Sequence, residues 1–101
     1  MQAALRAAQA QGLSATVVRK GDADAGQVLI KQHLLGTGFR VLTRIRTADD
    51  KPAWLRGTGA EPVDEAAADA YIARQVERDY DLWVVEIEDR EGRLPLDEAI
   101  L

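Results

Sequence analysis

The chain has 101 residues, room for one domain with a small core, and no cysteine, which removes disulfides, thiolate catalysis and cysteine-ligated zinc or iron–sulfur clusters. Hydrophobic residues make up 47% but aromatics only 5%, so the core must be built from Ala, Val, Leu and Ile around Phe39, Trp54, Tyr71, Tyr80 and Trp83. Charge is divided unevenly: residues 1–60 carry nine Lys/Arg against four Asp/Glu, and residues 61–101 carry four against thirteen, within a net charge of −4.

Such a dipolar chain either folds so that its two parts answer each other's charge, or shows a basic and an acidic surface to a partner. A pI near 4.9 argues against nonspecific nucleic-acid affinity for the whole molecule, although it leaves room for a local basic face. The first eleven residues lack the basic start and apolar run of a signal peptide. No apolar stretch approaches the roughly 20 residues that span a bilayer, so a cytoplasmic protein without membrane contact is expected.

Residues 2–11 are strong helix formers, with five alanines around Leu5. Gly12 followed by apolar Leu13 is the pattern of a left-handed helix stop. With one large apolar residue the helix buries little. From residue 14 to 58 the period changes to that of strands bounded by turn residues, and four strands fit: 15–20, 27–34, 39–46 and 53–56. Short connections predict an antiparallel meander, because parallel neighbours ordinarily need a crossover of a dozen or more residues.

A second helix is predicted over 62–78. Pro62 suits a first helical position, Glu61, Asp64 and Glu65 load the first turn with negative charge, and Arg74 and Arg78 load the last with positive charge. Ala68, Ile72 and Val76, with Tyr71 beside them, form the face that should lie on the sheet. Residues 82–88 read as a central strand covered on both faces, Asp89-Arg90-Glu91-Gly92 as a tight turn, and 93–96 as a short return strand. With no repeat or linker, residues 1–101 form one domain.

Two segments are familiar together: Val17-Val18-Arg19-Lys20-Gly21-Asp22-Ala23-Asp24-Ala25-Gly26 and Asp81-Leu82-Trp83-Val84-Val85-Glu86-Ile87-Glu88-Asp89-Arg90-Glu91-Gly92. With the acidic, Ala-rich helix ending in Ala73-Arg74-Gln75 between them, the chain resembles the alphaproteobacterial domain-of-unknown-function family 1491. The resemblance supports the fold. It implies no activity, cofactor or catalytic residue.

Asp22 and Asp24 alternate in a glycine loop, an arrangement that can wrap a hard cation. The calcium-loop pattern fails, because its twelfth position falls on His33 where a bidentate Glu is required. A hairpin loop with Asp side chains bonding nearby N–H groups is the favoured reading. Glu86 and Glu88 share one strand face about 6.5–7 Å apart, a spacing that suits one ion or acid–base work. Arg44 and Arg46 have the same spacing, and cross-strand salt bridges between the two pairs are favoured over a carboxylate dyad.

Lys31, His33, Arg40, Arg44, Arg46 and Arg56 are expected to share the solvent face of the meander with Trp54 near them. A basic sheet with an aromatic is one way to hold single-stranded nucleic acid, but charged outer faces are ordinary in antiparallel sheets. His33 and Ser14 are the single histidine and the single serine, and a catalytic pair between them is not favoured over two strand residues.

These observations predict a two-layer α+β domain: an antiparallel sheet of five or six strands, made of a meander and a C-terminal hairpin, packed on one main helix with a short N-terminal helix beside it. The function expected is a non-catalytic binding or assembly module without a cofactor, with a homodimer as the first partner. Two alternatives stand beside it. One is a metal-dependent hydrolase or nuclease-like enzyme using Asp22, Asp24, Glu86 and Glu88; the other is a single-stranded nucleic-acid binder using the basic face.

Overall fold

In the computed structural model, residues 2–24, 26–93 and 98–101 are described, the side chains of residues 2–4 excepted. Two helices and six strands follow in the order α1 (Gln2–Ala10), β1 (Ser14–Arg19), β2 (Val28–His33), β3 (Phe39–Arg46), β4 (Pro52–Arg56), α2 (Glu65–Arg78), β5 (Trp83–Glu88) and β6 (Ala99–Ile100). The strands form one sheet in the order β1-β5-β2-β3-β4-β6.

Most of the meander is present. β3 lies antiparallel between β2 and β4, with Ile30 opposite Leu42 and Arg44 opposite Trp54. The junction of β1 and β2 differs from expectation, because β5 enters between them, antiparallel to β1 and parallel to β2. The loop from β1 to β2 therefore spans two strand spacings, roughly 10 Å, which its residues cover easily. The required crossover for the parallel pair is supplied by β3, β4 and α2 together.

Gly21 and Gly26 let that loop pass over the start of β5. A Cβ on either would collide with the Asp81 carbonyl oxygen and the Trp83 ring. The Asp22 N–H donates to the Asp81 carbonyl at 3.0 Å, and the Trp83 indole N–H donates to the Asp22 carbonyl at 2.7 Å. The glycine loop is thus a bridge fastened to β5 rather than a hairpin between neighbours.

The sheet's two faces carry separate cores. Val28, Ile30, Leu42, Trp54, Trp83, Val85 and Ile87 pack on one face with Leu5 of α1, Leu13, Ala15 and Ile100. Leu29, Val41, Leu82 and Val84 pack on the other with Ala68, Tyr71, Ile72 and Val76 of α2. The helices therefore take opposite faces, and β5 is covered on both, as its unbroken apolar run implies. Gly12 closes α1 with φ +74°, and the Leu13 N–H reaches back to the Ala8 carbonyl at 2.9 Å.

α2 starts three residues later than expected. Val63 is held in a backbone bridge with Phe39, exchanging hydrogen bonds of 2.7 and 2.8 Å. Asp64 is the N-cap, its carboxylate accepting from the Ala67 N–H at 2.8 Å. The return strand expected over 93–96 falls almost wholly outside the described residues. The last strand described is β6, which runs parallel to β4 with Trp54 beside Ile100. No helix among the described residues is long and apolar enough to cross a membrane.

Candidate functional site

Parallel pairing of β2 and β5 sets Lys31 beside Glu86 and His33 beside Glu88. β1 completes two rows on the α2 side of the sheet, with Thr16 opposite Glu86 and Ser14 opposite Glu88. Alternation along each strand puts all six polar residues on that one face. The rest of each row is apolar: Val41 stands beyond Lys31 and Phe39 beyond His33.

Lys31 is 4% exposed, so its ammonium needs counter-charge. It donates to Glu65 at 2.9 Å and Asp69 at 2.8 Å, both on α2, and Glu86 lies 3.5 Å away. Burial pulls this ammonium toward the neutral form, but the hydrogen bonds to Asp69 and Glu65 and their charges outweigh it and hold it above the ordinary lysine range. His33 stacks on Phe39 with ring centroids 4.4 Å apart and planes 14° from parallel. That contact fixes where the imidazole points. Its Nδ1 lies 4.0 Å from the second oxygen of Glu86.

His33, Glu86 and Glu88 each bring one ligand-capable atom into a group within 4.8 Å of one another, all three half-buried. The i, i+2 spacing of the two glutamates is legible in the sequence. Their union with His33 is not, since it depends on β5 choosing β2 as a parallel neighbour.

The expected salt bridges between Glu86/Glu88 and Arg44/Arg46 do not form, because β2 separates β5 from β3. Arg44 instead binds Glu98 at 3.0 Å and lies over the Trp54 ring, while Arg46 meets Asp50 across a turn. The charge division is nonetheless answered within the fold: Lys31 and Arg44 from the basic part meet Glu65, Asp69, Glu86 and Glu98 from the acidic part.

The basic face is split. Lys31 and His33 lie on the α2 side, whereas the register of β2, β3 and β4 places Arg40, Arg44, Arg46, Trp54 and Arg56 on the other. Trp54 is fully buried, its indole N–H donating to Glu98 at 3.0 Å, so it offers no ring for a base to stack on. Arg40 is half-buried, and its Nε has no partner among the described residues. The acidic set is split as well. Asp22 and Asp24 belong to the loop at the Trp83 end of β5, five residues or roughly 16 Å along the strand from Glu88. The Asp22 carboxylate accepts from the Asp24 N–H at 2.9 Å, which is the local turn favoured from sequence.

Two open clefts lie at the far end of the sheet. One of about 160 Å³ runs between the start of β2 and the last turn of α2, lined by Thr43, Gln75, Arg78 and Leu82 among others. The second, about 230 Å³, is bounded by Gln27, Arg44, Ile45 and Arg46. Both fall below the roughly 300 Å³ at which small-molecule sites begin.

Solved structures share the fold. A crystal structure of a DUF1491 family protein from Caulobacter crescentus CB15 is 39% identical over 99% of this chain and 92% of its own, with a TM-score of 0.84. An NMR structure of a DUF1491 family protein from the same organism is 40% identical over 99% and 90%, with a TM-score of 0.80. A solution structure of a protein from A. tumefaciens is 27% identical over 96% and 87%, with a TM-score of 0.75. No curated protein matches the chain. The family model for proteins of unknown function, DUF1491, matches residues 1–97, and the chain belongs to that family.

Proposed function

We propose that this protein is a non-catalytic binding module that assembles with a second copy of itself along β1. The observation that carries the reading is the state of that strand. Among the described residues β1 has one neighbour, β5, so the other side of Ser14–Arg19 presents backbone N–H and C=O groups outward, and Val17 and Val18 are 37% and 55% exposed. A second β1 laid antiparallel about a two-fold axis through Val17 sets Val17 against its own copy, Thr16 against Val18 and Ala15 against Arg19. No like charges oppose each other in that register, and the two sheets become one.

Internal pairing of the charged residues supports the same reading. With Lys31 and Arg44 engaged inside the fold, association has to rest on backbone pairing and the exposed valines rather than on opposite charge. Light scattering on a concentration series at low and high salt tests this. The expected mass rises toward twice the 11.1 kDa of one chain, persists in high salt, and returns to one chain in Val17→Lys/Val18→Lys. A single-chain mass at every concentration overturns the proposal, as does a dimer that salt dissolves.

A further inference from the structure

The face under α2 holds a set of groups that the internal charge pairing leaves incomplete. Lys31 is shared between Glu65 and Asp69 at 2.8–2.9 Å and touches Glu86 only at 3.5 Å. The Glu88 carboxylate makes no ion pair or hydrogen bond among the described residues, although it is half-buried in the row next to His33. Several carboxylates thus converge on one ammonium. Glu65 and Asp69 are more than half exposed, but Glu86 and Glu88 are half-buried, where charge without a partner is costly.

We propose that His33, Glu86 and Glu88 form a binding site for a first-row divalent transition cation such as Zn²⁺. The imidazole separates this set from a patch of surface acids, because a nitrogen ligand with two carboxylates suits zinc, cobalt or manganese better than magnesium or calcium. The 4.0 Å between His33 Nδ1 and a Glu86 oxygen is too long for a hydrogen bond and lies about half an ångström above the roughly 3.3–3.6 Å that separates ligand atoms in a tetrahedral site. All three ligand atoms fall within 4.8 Å of one another, so small side-chain rotations close the site.

The supporting contacts hold the ligands in place. Phe39 stacks against the His33 ring and fixes its plane. Lys31 lies nearest one oxygen of Glu86 while His33 faces the other, so the ammonium orients that carboxylate and leaves an oxygen free for the metal. Ser14 and Thr16 stand opposite Glu88 and Glu86 on the same face. All three ligands come from one chain, so the site does not depend on assembly along β1.

Calorimetric titration of the chelator-treated protein with Zn²⁺ is the test, run beside Mg²⁺ and with the variants Glu88→Gln and His33→Gln. The expected result is one Zn²⁺ per chain, at least tenfold weaker binding in each variant, and Zn²⁺ preferred over Mg²⁺ by about a hundredfold. Glu88→Gln should leave the metal-free melting temperature unchanged, because Glu88 has no partner to lose. Absence of Zn²⁺ binding overturns the proposal, as does equal affinity in wild type and Glu88→Gln or equal affinity for Zn²⁺ and Mg²⁺. A light-scattering result on the β1 contact changes none of these outcomes.

Discussion

Lys31 offers a test in which two ways of breaking one ion cluster should differ in cost. The Lys31 side chain is 6% exposed, but the Glu65 and Asp69 side chains that hold its ammonium are each 57% exposed. Replacing Lys31 with Met removes the buried charge and returns two carboxylates to water, where they are well solvated. The methionine keeps most of the packing of the lysine stem. The loss is then two charge-assisted hydrogen bonds, offset by the desolvation no longer incurred, and is expected to be about 1–2 kcal/mol.

The double variant Glu65→Gln/Asp69→Asn leaves the ammonium buried with Glu86 as its remaining carboxylate neighbour at 3.5 Å. An orphaned buried charge costs about 3–5 kcal/mol, and the residual Glu86 contact puts this case near the lower figure. Urea denaturation at neutral pH should therefore rank the double variant as less stable than Lys31→Met, with unchanged m-values. In thermal melts the gap corresponds to about 4–8 °C for each kcal/mol in a chain of this size. If Lys31→Met is as destabilising as the double variant, burial of the ammonium is not what governs the cluster and the reasoning fails.

Asp89 supplies a pH dependence. Hydrogen bonds from Arg93, and to a lesser extent the Arg93 and Glu91 backbone N–H groups, outweigh burial and hold its carboxyl below the ordinary Asp range. A depressed value means that stability is fully present above the unfolded-state pKa and is lost as pH falls through the folded one. Asp89→Asn is expected to cost about 1–3 kcal/mol at neutral pH, and its gap from wild type should narrow below about pH 4; a gap constant from pH 7 to pH 2 would contradict this. Gly21→Ala and Gly26→Ala each press a methyl group on the Asp81 carbonyl and the Trp83 ring, at an expected cost of about 1–3 kcal/mol. A shifted Trp83 fluorescence should accompany the loss, and full stability in both would show that the loop does not lie tightly over β5.

Local patterns in the chain were enough to define most elements. Gly12 and Leu13 stop α1 because a glycine takes the left-handed conformation without strain. Ala68, Tyr71, Ile72 and Val76 identify the buried side of α2 because helical periodicity puts them on one stripe. The unbroken apolar run at Leu82–Val85 marks a strand covered on both faces, and β3 has the same limits in sequence and structure. The Asp89 turn is equally local, closing with the Gly92 N–H on the Asp89 carbonyl at 3.1 Å and Gly92 at φ +63°.

Strand order was not legible, because alternation specifies which face a residue takes but carries no information about which strand lies beside it. β5 is drawn between β1 and β2 by a gain available only in three dimensions: its two apolar faces are buried at the sheet's centre, and two glycines let the loop cross over its first residues. That choice separates Glu86 and Glu88 from Arg44 and Arg46 and gives them Lys31 and His33 instead. By itself the sequence determined the elements, their inward faces and the division of charge. The tertiary structure alone decided which opposite charges meet and which carboxylates are left beside a histidine, since those depend on contacts between residues 34 or more positions apart.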